Sequence, residues 1–217
     1  MKEAEIKMSA DTPMDRDLTP ALAEFAKLLK RRLERSIPTN EDTVRYTFYY
    51  ALIEGLKLKP EDIMVEPPHE KIARARLDLK TFELEYSFEF KYENIQLTTK
   101  DESTSGQLPM RMFSDVFRLA TLHAAGKEPV FIYLTARWGK NYLRNTKWKL
   151  VEAFNLPVGN SLLIDESYLK ERPHILTRNI GNIVPCRINS IYSCCLPNEH
   201  ALRVYRVGGS GAGAAKS

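Results

Sequence analysis

Apolar residues change their spacing along the chain, and the changes mark out its elements. After Thr19 and Pro20, the residues Leu22, Phe25, Leu28 and Leu29 recur at intervals of three and four. This predicts a helix toward Arg35 with Thr19 as N-cap and Pro20 at the first helical position. Pro38 breaks that helix, and Thr39, Asn40, Glu41 and Asp42 supply a cap and acids for a second. Its stripe, Val44, Phe48, Ala51, Leu52 and Leu56, runs to about Lys57. The period then shortens: Ile63 to Val65 reads as a short strand, and Arg74 to Glu93 alternates polar and apolar residues as paired strands do. Their turn falls near Glu83, although no Gly, Asn or Pro marks it.

A polar loop is expected from Thr98 to Gly106, followed by a broadly apolar helix from about Leu108 to His123 that Gly126 ends. Val130 to Thr135 is an unbroken apolar run of the kind a buried strand carries, and Tyr142 to Phe154 has helical spacing. Beyond Pro157 come short strands, with Ile183 to Ile191 and Ala201 to Val207 forming a hairpin. Asp165 and Glu166 read as a cap for the segment after them. This order predicts an α/β fold, a mixed sheet with helices on both faces.

With 217 residues, 43% hydrophobic and 28% charged, the chain can bury a full core, and its length suits one domain over residues 1–207. Residues 208–217 are mostly Gly, Ala and Ser and read as a flexible tail. The longest apolar runs are far too short for a bilayer, and Met1 to Glu5 lacks the apolar stretch of a signal peptide, so no membrane partner is expected. Cys186, Cys194 and Cys195 have neither an even count nor CxxC spacing. They read as reduced thiols in a cytoplasmic protein. Thirty-two Lys and Arg against 28 Asp and Glu give a net charge of +4, which allows a nucleic-acid partner without demanding one.

The chemistry lies in the alternating stretch. Phe88, Phe90 and Tyr92 share one strand face, while Glu89 and Lys91 share the other. If the hairpin closes around Glu83 and Leu84, Asp78 faces Glu89 with Cβ atoms about 5 Å apart. Two carboxylates so placed can share a cation, and oxygen-only ligands at an accessible spot suit Mg²⁺, with Mn²⁺ as a substitute. Lys91, roughly 7 Å along the strand from Glu89, is placed to orient or deprotonate an attacking water and to offset developing negative charge. Acid-x-Lys spacing alone recurs at Glu5 to Lys7 and at Asp78 to Lys80, so context distinguishes the Glu89 copy.

That context is Asp78, then ten intervening residues, then Glu89, Phe90 and Lys91, on consecutive strands flanked by helices. It resembles the PD-(D/E)xK nuclease superfamily, with its restriction-endonuclease-like core, over roughly Pro38 to Ala136. Leu77 stands where the motif has Pro. The resemblance implies Asp78 and Glu89 as metal ligands, the Phe90 main-chain carbonyl as a further ligand and Lys91 as the catalytic amine. It also implies an acid from a preceding helix, for which Glu41 is the best match and Asp42 competes. Gln107 matches a position from which some members direct a polar side chain to the site.

Downstream, Arg111 and Arg118 flank Asp115 at four- and three-residue spacing, which suits intrahelical ion pairs as well as phosphate or subunit contact. Arg137, Lys140, Arg144, Lys147 and Lys149 form an acid-free run interleaved with Trp138, Tyr142 and Trp148, the best nucleic-acid footprint in the chain. Ordinary alternatives stand beside these readings: a dipole-complementing Glu41, a solvated hairpin face at Asp78, Glu89 and Lys91, and a solvated helix face for the basic run. The four histidines read as structural or surface residues.

The expectation is a divalent-metal-dependent phosphodiester hydrolase, a DNA endonuclease first, with DNA not separable from RNA. A non-catalytic nucleic-acid-binding or assembly protein with the same fold is the rival. Double-strand cleavage from one site per chain suggests a homodimer, with the Leu108 to His123 helix as its interface unless that helix is buried in the monomer.

Overall fold

The computed structural model describes residues 17–93, 107–123, 127–136, 153–171 and 182–210. They form α1 (Thr19–Glu34), α2 (Glu41–Leu56), a 3₁₀ turn (Pro60–Asp62), β1 (Ile63–Val65), β2 (Leu79–Thr81), β3 (Tyr86–Glu93) and α3 (Gln107–His123). Then follow β4 (Glu128–Thr135), β5 (Ser161–Ile164), α4 (Glu166–Lys170), β6 (Cys186–Cys195) and β7 (Ala201–Gly209). The fold is α/β. Its seven-stranded mixed sheet has the order β1-β2-β3-β4-β7-β6-β5, antiparallel throughout except for the central β3–β4 pair, which α3 connects.

Helices cover both faces, and strand alternation decides which residues meet them. On one face Phe88, Phe90, Val130, Ile132, Leu134, Leu202 and Val204 pack against Phe25, Leu29, Phe48 and Leu52 of α1 and α2. Phe48 is the hub, edge-on to Phe25, Phe88 and Phe90 with ring centroids 5.0, 4.9 and 5.5 Å away. The two helices cross closely because Gly55 has no side chain: a Cβ there would lie 2.6 Å from the Cα of Ala21. On the other face Phe131, Tyr133, Tyr205, Val207 and Ile188 pack under α3 with Phe154 and Leu169. That layer is apolar around Phe131, Tyr133, Tyr205 and Val207 but turns polar at β3, where Ser87, Glu89 and Lys91 occupy the matching positions.

Local signals account for the ends. Asn40 caps α2, accepting from the Thr43 N–H at 2.8 Å, and Lys57 closes it in a left-handed conformation at φ 58°. Asp165 caps α4, accepting from the Tyr168 N–H at 2.8 Å. Thr19 is not the cap of α1: Leu18 holds that position, and the Asp17 carboxylate accepts the Thr19 N–H at 2.8 Å. The β2–β3 turn needs no Gly because Glu85 adopts φ 53° itself, while Thr81 Oγ1 accepts the Tyr86 N–H. β2 is shorter than the alternation predicts, since Leu77 and Arg76 pair instead with the Pro67 and Pro68 segment. β7 runs on through Gly208 and Gly209, which pair with Arg187 and Cys186, so the strand takes two residues from the predicted tail.

The apolar face of α3 is spent within the chain: Met112, Phe113, Val116, Phe117, Leu119, Ala120 and Leu122 are all buried in its own core. Burial in the monomer core therefore accounts for this apolar pattern. All three cysteines are free thiols. Among the described residues no helix is long and apolar enough to cross a membrane. The predicted loop from Thr98 to Gly106 and most of the predicted helix from Tyr142 to Phe154 lie outside the described residues.

Candidate metal and phosphodiester site

The site forms where β2 stops short beside β3. Leu79 pairs with Phe88 and Lys80 with Ser87, so one further step of this register sets Asp78 across from Glu89. The Asp78 carboxylate remains tied to β3, its Oδ2 accepting the Phe90 N–H at 2.7 Å. A residue's N–H and C=O leave the same edge of a strand. The Phe90 carbonyl therefore lies on the edge that Asp78 borders.

Three cations organise the carboxylates. Arg45, buried on α2 beside Val44 and Phe48, reaches Asp78 at 2.7 Å, Glu66 at 2.9 Å and Asp42 at 3.5 Å. Lys91 stands 3.1 Å from Asp115 Oδ2 and 3.5 Å from Glu41 Oε2, and the same Glu41 oxygen accepts the Tyr92 N–H at 3.2 Å. Arg118 grips Glu89 with a fork, Nε to Oε1 and Nη2 to Oε2, each at 2.8 Å, and also meets Asp115 Oδ1 at 3.0 Å. Among the described residues, six acids (Glu41, Asp42, Glu66, Asp78, Glu89, Asp115) thus face three bases (Arg45, Lys91, Arg118), three more carboxyls than cations.

Burial works against that surplus by disfavouring the ionised carboxylates. The Glu89 carboxyl is pushed well above the ordinary carboxylate range by its removal from water and by the charge of Asp78, with Arg118 pulling the other way. Burial also raises Asp115, against Lys91 and Arg118. For Lys91 burial favours the neutral amine, but Asp115, Glu41 and Asp78 together outweigh it and hold the ammonium charged.

The donor set suits a hard divalent cation. Asp78 and Glu89 offer oxygen alone, and Mg²⁺ accepts one or two carboxylates while keeping waters. Asp115 Oδ2 is buried, with the Lys91 ammonium 3.1 Å away as its ion-pair partner. Among the described residues, no three His, Cys, Asp or Glu side chains already converge as a ligand cage. The cations account for this: Arg118 holds Glu89, and Arg45 with the Phe90 N–H holds Asp78.

Of the residues expected from sequence, Asp78, Glu89, Phe90, Lys91 and Glu41 come together here. Glu41 rather than Asp42 reaches Lys91; Asp42 is exposed and, among the described residues, pairs with Arg45. Gln107 opens α3, with its side chain outside the described residues, as are Arg137, Lys140, Arg144, Lys147 and Lys149. Arg111 is exposed and, among the described residues, does not share the Asp115 pair. Arg118 does pair with Asp115 within the helix, and it reaches beyond the helix to Glu89 as well. Sequence reasoning missed Arg45, Glu66 and Asp115. The available signals were an arginine set between buried Val44 and Phe48, and a lone acid on an apolar helix.

His69 is structural, as its sequence setting suggests. Its Nδ1 accepts the N–H groups of Lys71 and Ile72, each at 3.1 Å, so the proton sits on Nε2 and is donated to the Arg118 carbonyl at 3.1 Å. This bond pins the 66–76 segment to α3 directly behind the site. No protein-family model, no curated protein and no solved structure matches the chain.

Proposed function

We propose that the chain is a divalent-metal-dependent phosphodiester hydrolase acting on DNA, an endonuclease of the PD-(D/E)xK type with a restriction-endonuclease-like core. One observation carries the reading: Asp78, Glu89 and Lys91, joined by Glu41 from a separate helix, gather at one point of β3. In this reading Asp78, Glu89 and the Phe90 carbonyl hold Mg²⁺. Such an ion would supply Lewis acidity toward a phosphoryl oxygen. Lys91, kept charged by Asp115 and Glu41, orients the attacking water and offsets the charge that builds on the phosphate. Glu41 positions that ammonium and is anchored in turn by the Tyr92 N–H.

A non-catalytic nucleic-acid-binding or assembly protein is the second reading. It is favoured by the Arg118 fork, which already satisfies Glu89 without any metal. Plasmid cleavage separates the two. The hydrolase nicks or linearises supercoiled DNA in Mg²⁺ or Mn²⁺, stops in EDTA, and loses activity in Glu89→Gln, which keeps the shape but not the charge. A wild-type protein that leaves plasmid and RNA intact in both ions sinks the hydrolase.

A further inference from the structure

Glu89 and Arg118 differ in their freedom to move. The Glu89 side chain is only 3% exposed and sits on a central strand, whereas the Arg118 side chain, on α3, is 29% exposed. Arg118 also has a second acceptor within reach, Asp115 Oδ1 at 3.0 Å, and its backbone is held in place by His69. A guanidinium leaving Glu89 therefore keeps a partner on its own helix turn. The carboxylate it leaves stays fixed across from Asp78, in a cluster that carries more acid than base among the described residues.

We infer that Arg118 is a built-in counter-cation which a divalent ion must displace from Glu89, so that this ligand is freed by movement of one arginine while the carboxylate itself stays in place. This rests on the metal-dependent reading above. The physics is competition: a forked, charge-assisted pair in a poorly hydrated setting is strong, and a cation that claims the same carboxylate must first break it. Asp115 holds the guanidinium meanwhile: its Oδ1 already meets Arg118 at 3.0 Å, and its Oδ2 has Lys91 at 3.1 Å.

Calorimetric titration with Mn²⁺ tests the competition directly. Wild type, Arg118→Gln and Arg118→Lys are compared, with Glu89→Gln as the site control. Removing the competitor should tighten Mn²⁺ binding by about 10- to 100-fold in Arg118→Gln, the scale of a charge-assisted hydrogen bond. Arg118→Lys keeps the charge without the fork and should fall between, so it carries the comparison if the Gln variant does not fold. In wild type, Mg²⁺ should also shift the Arg118 Nε–H resonance. Unchanged or weaker Mn²⁺ binding in both variants, with wild type still binding, overturns the displacement and leaves the hydrolase standing. No Mn²⁺ binding to wild type or to either variant overturns both.

Discussion

Asp78 Oδ2 accepts the backbone N–H of Phe90 at 2.7 Å while its Oδ1 accepts from Arg45 at 2.7 Å. One carboxylate thus joins α2 to the central strand, and both of its oxygens face donors. Asn cannot replace it: in either orientation the amide sets its own N–H groups against a donor. Asp78→Asn should lower stability by about 1–3 kcal/mol, read as a lower urea midpoint, and should abolish cleavage. A variant of wild-type stability would show that the carboxylate does not bridge the two elements.

Lys91→Ala should reduce the cleavage rate by about 10²- to 10⁴-fold and leave DNA affinity within about threefold, since one cation among many adds little to backbone binding. Single-turnover cleavage and a filter-binding titration at fixed salt give the two numbers. Equal losses in both would make Lys91 a docking residue.

Gly55→Ala should destabilise the protein. Alanine normally improves a helix interior by about 1 kcal/mol over glycine, but here its methyl would lie 2.6 Å from the Cα of Ala21 and 2.7 Å from its N, backbone atoms that yield only if α1 and α2 separate. A loss of about 1–3 kcal/mol is expected, as a shifted denaturant midpoint with an unchanged slope. A gain in stability would place the helices farther apart than described.

His69 sets a pH dependence of known sign. Burial holds its imidazole below the ordinary value, and the nearby Arg118 charge adds to this, against the Arg118 carbonyl bond and Glu70. The unfolded chain therefore takes up the proton first, near pH 6.5. The stabilisation from neutral His69 is complete above that pH and disappears as the pH falls through the lower folded value. Glu89 and Asp115, both raised, act in the opposite sense. The informative quantity is the difference between wild type and His69→Gln, which should shrink from about pH 7.5 to about pH 5. A constant difference would mean that the histidine does not titrate with unfolding.

Local rules reached some of this molecule and not the rest, for a physical reason. Strand alternation alone put Glu89 and Lys91 on one face, and a hairpin centred on Glu83 and Leu84 implied the Asp78–Glu89 opposition that the observed register continues to. Asn40, Pro38 and the stripe from Val44 to Leu52 marked α2 because caps and helical period are local. Arg118 on Glu89 and Asp115 on Lys91 were out of reach. Both depend on how α3 lies across β3, and within the helix the spacing of Arg118 and Asp115 showed only the pair they make with each other. Arg45 was hidden in the same way: on the α2 stripe it reads as an interruption, and only the return of Asp78 and Glu66 supplies its partners.

The division of β3 into an aromatic face and a charged face also limits how the chain can change length. Phe88 and Phe90 meet Phe48 from one side while Glu89 and Lys91 meet α3 from the other. Inserting or deleting one residue between Tyr86 and Glu89 would exchange the two sets, driving a carboxylate under Phe48 and a phenyl ring among the ions. The Phe82–Glu85 turn, by contrast, has its side chains largely in solvent and can lengthen without moving either face. Length variation in descendants of this sequence should therefore collect in that turn and spare the strand, so that the spacing within Glu89, Phe90 and Lys91 outlasts the distance from Asp78.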